Sequence, residues 1–130
     1  MSKLRVFKTK WFHRFSKKES ISDEKIDQTI RDILQGKIDG DYRGGLVKQR
    51  LARDNQGKSG GYRIIVLFQV KHRMFFVFGF AKSDRENITS MEEEGFRKLA
   101  SYYFPLSDKE LEMLISTDEL TEIFYESKKI

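Results

Sequence analysis

The sequence predicts an α+β fold, with helices first, a small antiparallel sheet in the middle and helices again at the C-terminal end. Three observations carry this. Apolar residues recur at helical spacing before residue 36 and after residue 90. Two β-prone runs, Tyr62–Val70 and Met74–Phe80, stand next to each other in the centre. Glycines gather in the stretches between these segments, where turns are needed. At 130 residues, with no repeat and no low-complexity tract, residues 1–130 read as one domain. Residues 106–130 form a C-terminal extension without a motif.

Leu4–Phe7 alternates and reads as a first strand. Trp11, Phe12 and Phe15 then fall at i, i+1 and i+4, one face of a short helix. Ser20 with Asp23 fits a capping box for a second helix, whose apolar residues are Ile26, Ile30, Ile33 and Leu34. Gly36 ends that helix, and residues 40–45 are a turn-rich connector. Leu46–Arg53 alternates, which sets Lys48 and Arg50 on one face of a strand. After a glycine-punctuated loop at 54–61, the two central runs are joined by Lys71, His72 and Arg73 as a tight hairpin. Their unbroken apolar character implies strands covered on both faces. A polar loop spans Ser83–Asn87. Ser90 and Glu93 cap a helix with the stripe Phe96, Leu99, Ala100 and Tyr103, and Pro105 terminates it. Ser107 and Glu110 form another capping box, ahead of Leu111, Leu114 and Ile115. For residues 121–130 the pattern leaves packing back and fraying both open.

Composition removes several kinds of chemistry. Without cysteine there is no disulfide, no thiol nucleophile and no thiolate zinc site. Two histidines, His13 and His72, do not make a multi-histidine metal centre. No apolar run is long enough for a membrane span, and Met1–Arg5 lacks the apolar core of a signal peptide, so a cytoplasmic protein is expected. Charge is segregated: residues 1–18 carry net +7, 19–40 net −3, 41–85 net +7 and 86–130 net −6. Two blocks this basic fit a polyanionic partner, and they equally fit a merely solvated surface.

A conventional hydrolase site is hard to assemble from these residues. His13 lies in a helix among aromatics, and His72 in a turn between cations. Glu92, Glu93 and Glu94 point in different directions on a helix and suit its N-terminus. Asp84 and Glu86 flank Arg85 and are expected to pair with it rather than bind metal. Gly57–Gly61 has the glycine, lysine and serine of a phosphate loop without its spacing, and a strand follows it where a helix is required. The best constellation is basic: Lys48, Arg50, Arg53, Lys58, Arg63, Lys82 and Arg85, interleaved with Tyr62, Phe76, Phe78 and Phe80. Cations neutralise phosphates and aromatics stack unpaired bases, the two needs of single-stranded RNA recognition. Strand cations also discourage edge pairing, and spacing alone favours that plainer reading. Arg63 stands apart because it opens an apolar strand, where a guanidinium is costly unless it faces a ligand or an acid such as Asp54 or Asp84.

Residues 46–53, Gly57–Ile65 and Phe75–Ile88 together resemble the RelE/ParE superfamily of toxins, and its HigB-like RelE branch most of all. The resemblance runs over roughly residues 3–105. It implies a RelE-like microdomain, with N-terminal helices packed on a small antiparallel sheet. It implies a toxin of a type II toxin–antitoxin system: a ribosome-dependent mRNA endonuclease using no metal and no cofactor, held inactive by a cognate DNA-binding antitoxin. The substrate's 2′-hydroxyl would be the nucleophile and a 2′,3′-cyclic phosphate the product. By matching positions Lys58, Arg63 and Lys82 are the implied catalytic residues, Lys58 ahead of Lys82 for proton transfer. Lys48, Arg50, Arg53 and Arg85 are the implied RNA and ribosome contacts. A tyrosine or histidine that some members carry just after the last strand is absent here. A gyrase poison of the ParE type and a non-enzymatic nucleic-acid-binding module are the alternatives.

Overall fold

A computed structural model of the chain describes residues 4–52 and 61–125. The elements in chain order are β1 (Arg5–Thr9), α1 (Lys10–Lys18), α2 (Asp23–Leu34), β2 (Gly40–Asp41) and β3 (Leu46–Leu51). Then come β4 (Tyr62–Gln69), β5 (Arg73–Ala81), α3 (Ser90–Tyr103), α4 (Asp108–Ser116) and β6 (Leu120–Ile123). The strands form one six-stranded sheet in the order β2-β3-β4-β5-β1-β6, so the fold is α+β as expected.

The sheet separates two cores. On one face Val47, Ile64, Val66, Met74 and Phe76 pack against Phe12 of α1 and Ile26, Ile30 and Ile33 of α2. On the other, Leu46, Ile65, Leu67 and Phe75 pack against Ala100 and Tyr103 of α3 and Leu111 of α4. Because successive strand residues point to opposite faces, a strand between two helical layers must be apolar at every position. Ile64, Ile65, Val66 and Leu67 of β4 are all fully buried.

Several details differ from the sequence-based expectations. The sheet is mixed, since β1 runs parallel to β5 through Arg5↔Arg73 to Lys8↔Phe76. Side-chain periodicity is the same for both strand directions, so the sequence carried no sign of this. The cap of α2 is Ser22, whose hydroxyl accepts from the Lys25 amide, while Ser20 adopts a left-handed φ of 56° in the preceding turn. The cap of α3 is Thr89, closed into a box by Glu92. Glu110 and Ser107 form their box at α4 as the spacing predicts. At the C-terminal end β6 pairs antiparallel with β1, Val6↔Ile123 through Thr9↔Leu120, so this part packs back on the sheet. No helix among the described residues is long and apolar enough to cross a membrane.

Candidate nucleic-acid interface

The register of three strands assembles the site. Arg50 on β3 pairs with Arg63 on β4, and Arg63 with Phe80 on β5. In the next row on the same face, Lys48 pairs with Ile65 and Ile65 with Phe78. Lys48, Arg50 and Arg63 therefore share one face with Phe78 and Phe80. This is the face α3 and α4 cover at the sheet's other end. Arg63 is 7% exposed, whereas Arg50 projects into solvent. The Arg63 Nη1 donates to the Tyr62 carbonyl at 3.4 Å.

Two polar residues that the sequence did not single out frame Lys48. Its ammonium lies 3.5 Å from Asn87 Oδ1 and 5.8 Å from the centre of the Tyr42 ring. The Tyr42 hydroxyl donates to the same Asn87 oxygen at 2.5 Å, and the Ile88 amide donates to it at 2.9 Å. Burial raises the Tyr42 pKa, so the phenol keeps its proton at neutral pH and acts as a donor. Tyr42 is fixed from behind by Arg97, which donates to the Tyr42 carbonyl and, at 2.9 Å, to that of Arg43, while pairing with Glu93 at 3.0 Å. The turn into β3 needs glycine: at Gly45 φ is +87°, and a Cβ would lie 2.9 Å from the Phe68 carbonyl and 3.0 Å from the Phe104 ring. Tyr42 sits in a connector without periodicity and Asn87 in a polar loop, so only the resemblance over Phe75–Ile88 touched either.

The other expected residues divide. Arg85 lies over the rings of Phe78 (5.5 Å) and Phe80 (5.0 Å), which brings it to the site, yet it is ion-paired with Glu92 rather than with Asp84 or Glu86. The carboxyl of Glu92 is held below its ordinary pKa, first by the hydrogen bond from the Thr89 amide and then by Arg85. Lys82 is exposed in the turn after β5, its amide donating to the Gly61 carbonyl at 2.9 Å. Arg53 and Lys58, with Asp54, lie outside the described residues. Of the interleaved aromatics only Phe78 and Phe80 share the cations' face. Phe76 packs on Phe12 on the opposite face, and the Tyr62 hydroxyl donates to Glu19 there at 3.0 Å. An alternating strand sends neighbours to opposite sides, and the bulge between Ile65 and Val66 resets which β5 residues face the cations. His72 is exposed in the hairpin turn. His13 is half-buried on α1, its pKa lowered by burial and by Lys8 and Lys17.

With this geometry the arrangement can hold a phosphate between flexible and fixed cations, with Lys48 positioned by Asn87 and the Tyr42 ring. A family profile described as the RelE toxin of the RelE / RelB toxin-antitoxin system matches residues 4–123. The match continues past residue 105, where the sequence resemblance stops, through α4 and β6. No curated protein matches the chain.

Proposed function

The chain belongs to the RelE toxin family of RelE/RelB toxin–antitoxin systems, and from that premise we propose that it is a ribosome-dependent mRNA endonuclease that stops translation. The observation that supports this is the row Arg50–Arg63 beside Lys48, Tyr42 and Asn87 on one sheet face. Among the described residues neither Lys48 nor Arg50 has an ion pair, whereas Arg5, Arg73, Arg85 and Arg97 all do. A strand that presents cations without acids is fitted to an anion that comes from outside.

In this reading the substrate's 2′-oxygen attacks the adjacent phosphorus and the bond to the 5′-oxygen breaks, leaving a 2′,3′-cyclic phosphate and a 5′-hydroxyl. The 2′-hydroxyl proton leaves to a base, and the departing 5′-oxygen takes one up. Arg63 and Arg50 stabilise the extra charge on the pentacoordinate phosphorus, since a guanidinium stays protonated and meets phosphate oxygens in pairs. Lys48, positioned by Asn87 and the Tyr42 ring, holds the phosphate in place. Lys58 is assigned the proton transfer, with Lys82 the second choice, and no metal or cofactor is needed for these steps. Arg53 and Arg85 extend the contact to RNA and ribosome. The active unit spans residues 1–130 and works in the cytoplasm, where a cognate DNA-binding antitoxin covers Lys48, Arg50 and Lys58.

Primer extension on a translated message tests the reading, with the parental chain, Arg63→Ala and Lys58→Ala compared after thermal melting confirms folding. Cleavage by the parental chain, unchanged by chelators and lost in both variants, is the expected result. A folded Arg63→Ala chain that cleaves at the parental rate overturns the assignment. Arrest of DNA synthesis with translation intact points to gyrase instead.

A further inference from the structure

A groove beside the basic row has an unusual lining. β1 accompanies β5 only as far as Phe76, so, among the described residues, 77–81 continue without a strand on that side. Helix α1 leans on them instead. Trp11 lies against Phe78 with ring centroids 4.6 Å apart, and Phe15 covers Gly79 so closely that a Cβ there would be 2.5 Å from its ring. The two elements leave an open cavity of about 440 Å³ between them, lined by Trp11, Phe80 and the bare main chain of Gly79, with Arg14, Lys18 and Asp84 at its rim and Glu19, which accepts from the Tyr62 hydroxyl, beside them. That volume is ordinary for a small-ligand site.

Three observations identify the occupant. Trp11 is the chain's single tryptophan and is 45% exposed, where the neighbouring Phe12 is fully buried. Arg14 and Lys18, with Lys10 and Lys17 on the same helix, have no ion pair among the described residues, and no acid occurs before Glu19. The cavity is also continuous with the basic row, because Phe80 lines it while pairing with Arg63 and lying 5.0 Å beneath the Arg85 guanidinium. An aromatic platform beside cations that form no ion pair among the described residues, adjoining the basic row, suits a nucleotide of single-stranded RNA. A purely apolar occupant leaves Arg14 and Lys18 unexplained, and a purely acidic one leaves the exposed Trp11 ring unexplained.

We propose that this groove binds one nucleotide of the RNA strand next to the scissile phosphate, its base against the exposed part of the Trp11 indole and its phosphate on Arg14 and Lys18. Asp84 is placed at the rim to accept from an exocyclic amine of the base. The proposal rests on the RNA-cleaving reading of the sheet site, and it makes α1 a second contact surface that helps choose where the message is cut.

The test is binding without cleavage. A fluorescein-labelled 2′-O-methyl RNA tetranucleotide, whose blocked nucleophile prevents reaction, is titrated into the full chain while Trp11 emission and probe anisotropy are followed. Saturable quenching of Trp11 is expected. The double variant Arg14→Glu/Lys18→Glu should weaken binding roughly tenfold, and Trp11→Leu, read by anisotropy, by a similar factor. Arg63→Ala should retain the quenching. Absence of quenching, or an affinity unmoved by Arg14→Glu/Lys18→Glu, overturns the proposal. So does protection of Trp11 from iodide by the purified antitoxin and not by RNA, which makes the groove a partner's seat. If Arg63→Ala still cleaves mRNA while Trp11 is quenched, the cleavage assignment falls and the groove stands.

Discussion

The same face of the sheet carries two cross-strand arginine pairs, and Arg5 in one and Arg50 in the other are treated in opposite ways. At one end Arg5 of β1 faces Arg73 of β5. Arg5 meets Glu122 at 2.8 Å and 2.9 Å, Glu112 at 2.7 Å and Asp108 at 3.4 Å, and Arg73 meets Asp108 at 3.5 Å and the Tyr103 and Phe104 carbonyls. Those acids come from α4 and β6, so the pair joins the C-terminal elements to the sheet. At the other end Arg50 faces Arg63. No described acid pairs with Arg50, whose main-chain amide alone donates to Asp39, at 2.7 Å. Arg5 and Arg73 are structural because the chain supplies them with carboxylates, whereas Arg50 is exposed and no described acid pairs with it. The segregated charge of the sequence takes spatial form here. The acidic C-terminal third neutralises Arg5 and Arg73 and leaves Lys48 and Arg50 alone.

The largest effect that can break this comparison is chemical. Arg63→Ala should lower the rate of message cleavage about a hundredfold, equivalent to roughly 3 kcal/mol of transition-state stabilisation. Primer extension measures it, and a rate within threefold of the parent would make Arg63 one more structural arginine. The counterpart, Arg5→Ala, should leave cleavage per folded molecule unchanged and destabilise the fold by about 2 kcal/mol. It strands Glu122, which is only partly exposed, without its partner. Denaturant unfolding checks this, and unchanged stability would show that the network is surface decoration.

Much of this contrast was legible in the sequence. Alternation in Leu46–Leu51 set Lys48 and Arg50 on one face, and the apolar run of β4 announced a strand between two layers in which Arg63 was the anomaly. Helix faces such as Ile26, Ile30 and Ile33 emerged from spacing alone. What escaped was everything set by register and direction. The parallel β1–β5 pair, the bulge that divides Phe76 from Phe78 and the pairing of Arg85 with Glu92 all depend on contacts distant in sequence. Tyr42 and Asn87 escaped for a related reason: they stand 45 residues apart in two irregular segments and meet only when α3 closes over β3. Lys58 and Arg53, prominent in the motif, fall outside the described residues and stand on the resemblance.

Supplying an acid beside Arg50 should make that arginine more like Arg5. Lys48→Glu places a carboxylate two residues from Arg50 on one strand face. It should cut cleavage and RNA affinity by roughly tenfold each, through repulsion of phosphate as well as capture of Arg50. Stability should move by no more than about 0.5 kcal/mol, since the position is partly exposed. A variant that unfolds instead would reveal Lys48 as a strut for Tyr42 and Asn87. Anisotropy with labelled RNA and a thermal melt on the same sample separate the two outcomes.

The smallest effect comes from the intermediate case. Arg85 is paired with Glu92 yet stacked on Phe78 and Phe80 beside the basic row, so it belongs partly to each end. Glu92→Gln removes the charge while keeping a side chain that can still close the box on Thr89. Because the folded-state pKa of Glu92 is lowered, its contribution to stability is present above its ordinary value of 4.5 and disappears as pH falls through the lower folded value. The variant should therefore melt a few degrees below the parent at pH 7, with the gap closing below about pH 4. His13, whose pKa is also lowered, acts in a higher window: the unfolded chain takes up its proton first as pH drops below 6.5, so the parent and the variant lose stability there together. With Glu92 neutral, Arg85 should turn to the incoming strand, and RNA affinity should rise two- to threefold at low salt, a gain that added salt erases. A gap in melting temperature that persists at pH 3 would assign the effect to packing. An RNA affinity that falls would show that Glu92 orients Arg85 for the strand instead of withholding it.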